Sequence, residues 1–211
     1  MEGAASIELY GMRTGNCFRA AMALEEAGIP YLARWYDPRK PGDDEASYLR
    51  LNPTGKVPTL VDHGATGGPF VLTQSNAIVL YAGEKAPDQL FSEDGLTGRA
   101  RVFERFFYFV TDVIAPSHAA FYLRSQNEPR AVNLLTERSL TAIENAERFL
   151  SVGPFMAGDS FSIADIAAFT IVRATRDELP WSRLSALERW FSVIQERPAI
   201  KRGTAAFNAP V

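Results

Sequence analysis

The sequence has almost none of the side chains that build disulfide frameworks or metal sites. It contains one cysteine, Cys17, which cannot form a disulfide within the chain, and two scattered histidines, His63 and His118. Zinc sites need several cysteine, histidine or acidic ligands at characteristic spacings. We therefore expect a function without a metal ion.

An excess of positive charge and long apolar runs are also lacking. Lys and Arg number 22 against 25 Asp and Glu, which gives a net charge of −3. This balance predicts no nucleic-acid partner and no binding to an anionic membrane. No apolar stretch approaches the roughly 18 residues of a spanning helix, and residues 1–6 do not resemble a signal peptide. We expect a cytoplasmic protein.

What the sequence does have is material for a core, since 46% of its 211 residues are hydrophobic. In the first ninety residues, strand-like runs at 7–10, 31–36, 59–62 and 70–73 alternate with helical segments. The first helix ends at Gly28, the second covers 44–51 and the third 75–85. The order βαβαββα is the thioredoxin-like layout.

Beyond a turn-rich stretch that follows residue 87, only helical patterns remain. Apolar residues recur every three or four positions from Leu96 to Tyr122 and again over 134–149, and the run 163–172 is apolar all round, which is typical of a buried central helix. Ser162 and Asp165 would form a capping box at its start. We predict an α+β fold with a thioredoxin-like domain at 1–87, a linker at 88–95 and an all-helical bundle domain at 96–211.

Three segments of the first domain carry groups that could bind one ligand. The first is Lys56-Val57-Pro58, where the proline stands at the entrance to a strand because it cannot donate to a ladder. A cis Val57-Pro58 bond would present the Val57 backbone N–H and C=O to an extended peptide as an added strand. An ordinary trans turn is the alternative.

The second segment is Gln74-Ser75, at the junction of the fourth strand and the third helix. A helix N-terminus attracts a carboxylate, and the Ser75 hydroxyl adds a donor. The Gln74 side-chain oxygen could accept from an ammonium group. Together these two residues would hold an α-amino acid head, although Ser75 could instead be a simple helix cap.

The third segment is Thr14-Gly-Asn16-Cys17, where the chain enters the first helix. The positive end of a helix lowers the pKa of a thiol by favouring its anion. These residues could therefore activate a ligand thiol. The alternative is that Thr14 or Asn16 caps the helix and that Cys17 is a small buried apolar residue.

Together these motifs resemble a cytosolic glutathione transferase over essentially the full chain. The resemblance is carried by Thr14-Gly-Asn16, 51–58 with its Lys-Val-Pro, 74–81 with its Gln-Ser pair, 161–165 with the capping box, and the closing Trp190-Phe and 196–200. The family resemblance implies a thioredoxin-like domain that binds glutathione as co-substrate, a helical domain that supplies much of the second-substrate pocket, and a homodimer.

The resemblance also implies a role for each of the first two segments. Val57 would pair with the cysteinyl backbone of glutathione, Gln74 and Ser75 would hold the γ-glutamyl head, and Lys56 would face the glycine carboxylate. Pro58 would complete the turn that presents Val57.

For the sulfur, Thr14-Gly-Asn16 looks closer to bacterial nu-type members, which place a threonine and an asparagine beside it, than to beta-type members. The cysteine of beta-type members would fall at Asn16. We predict Thr14 and Asn16 as the sulfur-activating residues. Cys17 is the runner-up, and Tyr10, near the end of the first strand, is a further alternative.

The implied function is a glutathione transferase that activates bound glutathione as a thiolate for attack on a small electrophile, as in detoxification. Phe106, Tyr108 or Phe109 could form an apolar wall beside the electrophile. Reduction of disulfides or peroxides is a second outcome, which the nu-type resemblance favours. A non-catalytic binding or scaffold protein on the same fold is the alternative, and the Ser-Ser-Cys run of a maleylacetoacetate-type isomerase is absent.

Overall fold

The structure, a computed structural model, describes residues 6–40, 42, 44–91 and 95–208. Its contacts divide the chain into two compact units, Met1–Ala86 with Pro198–Val211, and Pro87–Arg197. The division after Ala86 lies beside the boundary expected at 87. The sequence assigned 198 onwards to the helical domain, whereas the structure groups this segment with the first unit. Residues 92–94 of the expected linker lie outside the described residues.

The first unit is built on a four-stranded sheet. Its elements follow as β1 (Ile7–Gly11), α1 (Gly15–Glu26), β2 (Tyr31–Trp35), α2 (Glu45–Leu51), β3 (Thr59–Asp62), β4 (Phe70–Thr73) and α3 (Ser75–Lys85). The strand order is β2-β1-β3-β4, with β1 parallel to β2 and β3 antiparallel to both β1 and β4. The predicted βαβαββα order and thioredoxin-like layout are confirmed.

The helix α10 (Pro198–Ala205) packs on α1 within this unit. A Cβ at Gly203 would lie 2.7 Å from the Met22 nitrogen and Cα, so only glycine allows this approach of the two backbones. Arg202 Nε donates to Glu25 Oε2 at 2.6 Å. The ring of Phe207 leaves no room for a side chain at Gly11. These contacts explain why the end of the chain groups with the first unit, and a helical pattern alone could not reveal them.

The second unit is helical throughout its described regular elements. They are α4 (Pro87–Leu90), α5 (Gly95–Tyr108), a π-helical segment (Phe109–Ile114), α6 (Ala115–Arg124), α7 (Pro129–Asn145), α8 (Ile163–Thr175), α9 (Ser185–Glu196), and short 3₁₀ turns at Ala146–Ser151, Arg176–Glu178 and Trp181–Arg183. The helical pattern that the sequence shows from Leu96 to Tyr122 is therefore α5, the π-helical segment and α6 in succession. No helix within the described ranges is long and apolar enough to span a bilayer.

Helix α8 is the buried centre that its apolar sequence predicts, since every residue from Ile163 to Val172 is buried. At its start, Ser162 Oγ accepts from the Ala164 amide at 3.3 Å, and the Asp165 carboxylate accepts from the Ser162 amide at 3.0 Å. The expected capping box is present. Asp165 also accepts from the Met156 amide at 2.9 Å and from Trp190 Nε1 at 2.8 Å.

Of the three aromatic residues proposed as a wall beside the electrophile, two belong to the core of the helical unit and the third, Tyr108, is half-buried. Phe106 and Phe109 are fully buried. The Tyr108 hydroxyl donates to the Ala142 carbonyl at 2.7 Å, and its ring packs edge-on against Phe149. Their helical spacing is therefore explained by packing within the unit.

Candidate functional site

The three segments singled out in the sequence lie at one end of the sheet. In the β1–β3 ladder Tyr10 pairs with Thr59, and in the β3–β4 ladder Thr59 pairs with Thr73. The ends of β1 and β4 and the start of β3 therefore coincide. The loop from β1 into α1, the segment 56–58 before β3 and the junction 74–75 after β4 all leave the sheet at this end.

Thr14 is the N-cap of α1, in an extended conformation with φ −132° and ψ 155°. Its Oγ1 accepts from the Cys17 amide at 3.4 Å and donates to Cys17 Sγ at 3.1 Å. An N-cap side chain that accepts from the first turn satisfies one of the helix's open amides. The hydroxyl proton of Thr14 is directed towards Cys17 in this structure.

Cys17 has no exposed surface, and its sulfur also accepts from the Met12 amide at 3.4 Å. Burial raises the pKa of the Cys17 thiol, because an apolar environment disfavours the thiolate. A reactive cysteine needs both thiolate character and access to its substrate. The surroundings of Cys17 fit the alternative that the sequence left open, a small buried residue of the helix.

Asn16 is half-buried in the first turn of α1, and its Oδ1 accepts from Arg19 Nη1 at 2.9 Å. Tyr10 is placed differently. Its hydroxyl donates to Glu8 Oε2 at 3.2 Å, and its ring lies 5.8 Å from that of Tyr48 of α2. Burial, followed by the negative charge of Glu8, raises the pKa of Tyr10. The hydroxyl proton of Tyr10 is thus donated to the Glu8 carboxylate and not towards the start of α1.

The Val57–Pro58 peptide bond is cis. Within the described ranges, no residue hydrogen-bonds to the Val57 backbone, whose N–H and C=O are not part of the β3 ladder. The Lys56 side chain is exposed, whereas its carbonyl is held from inside the unit. Tyr48 Oη and Asn52 Nδ2 both donate to this carbonyl, each at 2.6 Å.

Tyr48 and Asn52 were not assigned a role from the sequence. Tyr48 is buried, its ring stacks on Tyr36 at 3.7 Å between centroids, and its hydroxyl lies 2.8 Å from Thr59 Oγ1. Asn52 is also buried, and its Oδ1 accepts from the amide and hydroxyl of Thr54. Nothing in the sequence pattern points to the Tyr48 hydroxyl, because its partners lie beyond α2, in the following loop and at the start of β3.

Gln74 has a backbone conformation that side chains rarely adopt, with φ 70° and ψ 112°. Such conformations cost about 1–3 kcal/mol and cluster at sites that hold ligands. Its side chain is exposed, while Ser75, the first residue of α3, is almost fully buried. Ser75 Oγ accepts from Arg19 Nη1 at 3.1 Å.

Arg19 is the most unexpected member of this region. It lies in α1, is only 2% exposed, and donates from Nη1 to Asn16 and Ser75 and also to Asn76 Oδ1 at 3.4 Å. Burial lowers the pKa of its guanidinium to about 10, so it remains protonated at neutral pH. An arginine in a helix is normally assigned to the solvent face, and sequence reasoning therefore missed it.

None of the described residues forms a group of three or more His, Cys, Asp or Glu side chains that could hold a metal ion. The polar groups at this end of the sheet are instead helix amides, amide side chains, hydroxyls and one buried cation. These groups suit an anionic organic ligand with an extended backbone.

Comparison with known proteins agrees with this chemistry. Residues 15–85 match the family model of the glutathione S-transferase N-terminal domain, and residues 111–202 match that of the C-terminal domain. The disulfide-bond oxidoreductase YfcG of Escherichia coli (strain K12) is 31% identical over 199 residues, which cover 92% of both chains. The glutathione S-transferase GstB of the same strain is 27% identical over 206 residues, 93% of this chain and 96% of the relative.

A solved structure of a glutathione transferase from Pseudomonas putida, with one glutathione disulfide bound per subunit, has the same fold. Its TM-score is 0.81 at 23% identity, over 97% of this chain and 93% of that one. The chain belongs to the glutathione S-transferase family. The family resemblance and the enzyme class that it implies are confirmed.

Proposed function

We propose that this glutathione transferase binds glutathione across the end of the sheet where 14–16, 56–58 and 74–76 meet, and holds its thiol as the thiolate. The observation that carries the proposal is the ladder register that brings Tyr10, Thr59 and Thr73 side by side. This register gathers a helix N-terminus suited to a thiolate, an unpaired strand entrance and a second helix N-terminus suited to a carboxylate.

Each part of the tripeptide has a partner of matching chemistry. The α-carboxylate of the γ-glutamyl residue would accept from the Ser75 hydroxyl and the first amides of α3. The Gln74 oxygen would accept from its ammonium group. The Val57 backbone would pair with the cysteinyl residue, and the exposed Lys56 ammonium would attract the glycine carboxylate.

The sulfur would lie at the start of α1. Thr14 and Asn16 supply the hydrogen-bond donors, and the helix N-terminus supplies a positive potential. Since the Thr14 hydroxyl donates to Cys17 Sγ, the Asn16 amide is the donor available without rearrangement, and Thr14 joins it by rotating its hydroxyl. The thiolate then attacks the electrophilic carbon of a small substrate, a C–S bond forms, and the leaving group departs with its electron pair.

A second activity, the reduction of disulfides, is favoured by the 31% identity to a protein named as a disulfide-bond oxidoreductase. In this reaction the glutathione thiolate attacks one sulfur of a disulfide, a new S–S bond forms, and the other sulfur leaves as a thiolate. Burial of Cys17 leaves glutathione as the only nucleophilic thiol in the step.

The test is a titration of bound glutathione by the ultraviolet absorbance of its thiolate, together with rates on a chlorinated aromatic and on a small mixed disulfide. A free thiol has a pKa near 8.5, and we expect the bound thiol to titrate about two units lower. An unshifted titration would overturn the activation mechanism. Binding of glutathione without turnover of either substrate class would support the scaffold alternative.

We further propose that the protein is a cytoplasmic homodimer. The dimer is implied by the family, and exposed apolar side chains such as Phe70 on β4 and Leu96 on α5 offer surface for it. Light scattering during size-exclusion chromatography tests the dimer directly, since the monomer mass is 23.3 kDa.

A further inference from the structure

Arg19 joins the first turns of two helices. From one nitrogen, Nη1, it donates to Asn16 Oδ1 in α1 at 2.9 Å, and to Ser75 Oγ and Asn76 Oδ1 in α3 at 3.1 and 3.4 Å. Asn16 is predicted to serve the sulfur of glutathione and Ser75 its γ-glutamyl carboxylate. A single buried side chain thus contacts residues from both ends of the proposed ligand site.

The contact with Asn16 determines which way its carboxamide faces. An asparagine amide has an accepting oxygen on one side and a donating NH₂ group on the other. If it were flipped, the NH₂ group would meet the guanidinium, and two donors would oppose each other. Arg19 therefore holds Oδ1 towards itself and turns both N–H donors away. A thiolate needs such donors, whereas a carboxamide oxygen in the same place would repel it.

The same reasoning applies to Ser75. Its oxygen accepts from Arg19 Nη1, so the hydroxyl hydrogen points elsewhere and can be donated to a ligand carboxylate. The positive charge contributes as well, since a charge in a buried environment is poorly screened and favours nearby anions. Both anions of the proposed complex, the thiolate and the carboxylate, gain from it.

We propose that Arg19 is a positioning residue that sets the donors of Asn16 and Ser75 towards the thiolate and the γ-glutamyl carboxylate of glutathione. The proposal rests on the glutathione site described under the proposed function. Arg19 does not touch the ligand and acts through the two side chains that do. It thereby couples sulfur activation at α1 to recognition of the amino-acid head at α3.

The test compares Arg19→Lys and Arg19→Met with the wild-type protein. Lysine keeps the positive charge but cannot span three acceptors from a planar group. For Arg19→Lys we expect the acid dissociation constant of the bound glutathione thiol to fall about tenfold, and the dissociation constant of S-methylglutathione, which has no thiol, to rise about tenfold. For Arg19→Met both changes should be larger. The pH profile of kcat should move upwards with the thiol pKa.

The matched control is Arg202→Met. Arg202 pairs with Glu25 at the opposite end of the same helix, far from the first turn. This variant should leave the thiol pKa and the affinity for S-methylglutathione unchanged, even if its melting temperature falls. Equal changes in Arg202→Met and Arg19→Lys would show a general loosening of α1 and overturn the proposal.

A double-mutant cycle with Asn16→Ala separates orientation from charge. Without the Asn16 amide, Arg19 has no donor to orient at the sulfur. The effect of Arg19→Lys on the thiol pKa should therefore largely disappear in the Asn16→Ala background. A full effect in that background would mean that Arg19 acts by its charge alone, and the positioning role would be wrong.

If the Arg19 variants do not fold, Asn16→Asp keeps the proposal testable. A carboxylate still accepts from Arg19 but has no N–H to donate, so the protein should melt no lower than the wild type and the bound thiol pKa should rise. An unchanged thiol pKa would refute the proposed orientation of Asn16. If the wild-type protein did not bind glutathione, the proposed function itself would be refuted. Failure of the Arg19 proposal and failure of the proposed function are therefore distinguishable.

Discussion

The Thr14 hydroxyl donates to the buried sulfur of Cys17 at 3.1 Å while its oxygen accepts from the Cys17 amide at 3.4 Å. The residue predicted to activate a ligand thiol is therefore hydrogen-bonded to the protein's own thiol. This relationship gives Cys17 a structural role in orienting the cap of α1. In the proposed glutathione complex, Asn16 would therefore be the first donor to the ligand sulfur.

Replacing Cys17 by alanine should leave catalysis intact. We expect kcat with glutathione within about threefold of the wild type, because the thiol is buried and its pKa is raised. The small cavity should lower the free energy of unfolding by about 1–2 kcal/mol. Initial rates on the chlorinated aromatic and the mixed disulfide, with a melting curve, check both points. A loss of activity beyond a hundredfold in the folded variant would make Cys17 a nucleophile.

Removing the Tyr48 hydroxyl should weaken glutathione binding without changing chemistry. In Tyr48→Phe the Lys56 carbonyl loses a 2.6 Å donor, so the loop that presents Val57 is less firmly held. We expect KM for glutathione to rise about three- to tenfold, with kcat nearly unchanged. Tyr36→Phe is the matched control, since its ring stacks on Tyr48 without bonding to the loop. A fall in kcat with constant KM would contradict this role.

Asp165→Asn should destabilise the helical unit. The wild-type carboxylate accepts from the amides of Met156 and Ser162, the Ser162 hydroxyl and Trp190 Nε1. An asparagine would turn an NH₂ group against these donors, at a cost of about 2–4 kcal/mol. Chemical unfolding, followed by a spectroscopic signal of the helical unit, measures this loss of stability. The control is Asp177→Asn, which changes an exposed side chain.

The same residue predicts a dependence of stability on pH. Burial raises the pKa of Asp165 from 3.8 to about 6, so the folded protein binds this proton more tightly than the unfolded chain. The protonated Asp165 side chain therefore adds roughly 3 kcal/mol to the free energy of unfolding. This contribution is fully present below pH 4 and is lost as the pH rises through 6. The difference in unfolding free energy between wild type and Asp165→Asn should follow this window. A difference that is constant from pH 4 to 7 would contradict it.

Asp62 should titrate in the opposite sense. Its burial alone would raise its pKa, but hydrogen bonds from Tyr81 and Lys85 outweigh burial and lower it. A carboxyl with a lowered pKa stabilises the folded state above its usual pKa, and this contribution is lost as the pH falls. Asp62→Asn should therefore destabilise the first unit at pH 7 and much less at pH 3. Equal destabilisation at both pH values would show that the charge of Asp62 is not involved.

Local patterns in the sequence were sufficient for the order of elements and for the three polar segments that the structure brings to one end of the sheet. Strand-like patterns predict the four strands, and Thr14 and Ser162 mark the starts of two helices. These signals depend on neighbours within a few residues, which is why they can be read without coordinates.

The supporting residues could not be predicted, because their partners are distant in the sequence. Arg19 reaches Ser75, which follows it by 56 residues, and Tyr48 reaches a carbonyl in the next loop. A buried arginine and an exposed one have the same letter and the same helical spacing. The aromatic residues predicted as a substrate wall show the same limit, since the burial of Phe106 and Phe109 could not be read from their spacing.

The close approach of Gly203 to Met22 means that the first unit is completed by a segment that follows the helical unit in the sequence. A fragment stopped after residue 87 would leave one side of α1 without its covering helix and would expose an apolar surface to water. During synthesis on the ribosome, the first unit cannot reach its final packing until the residues of α10 have been translated.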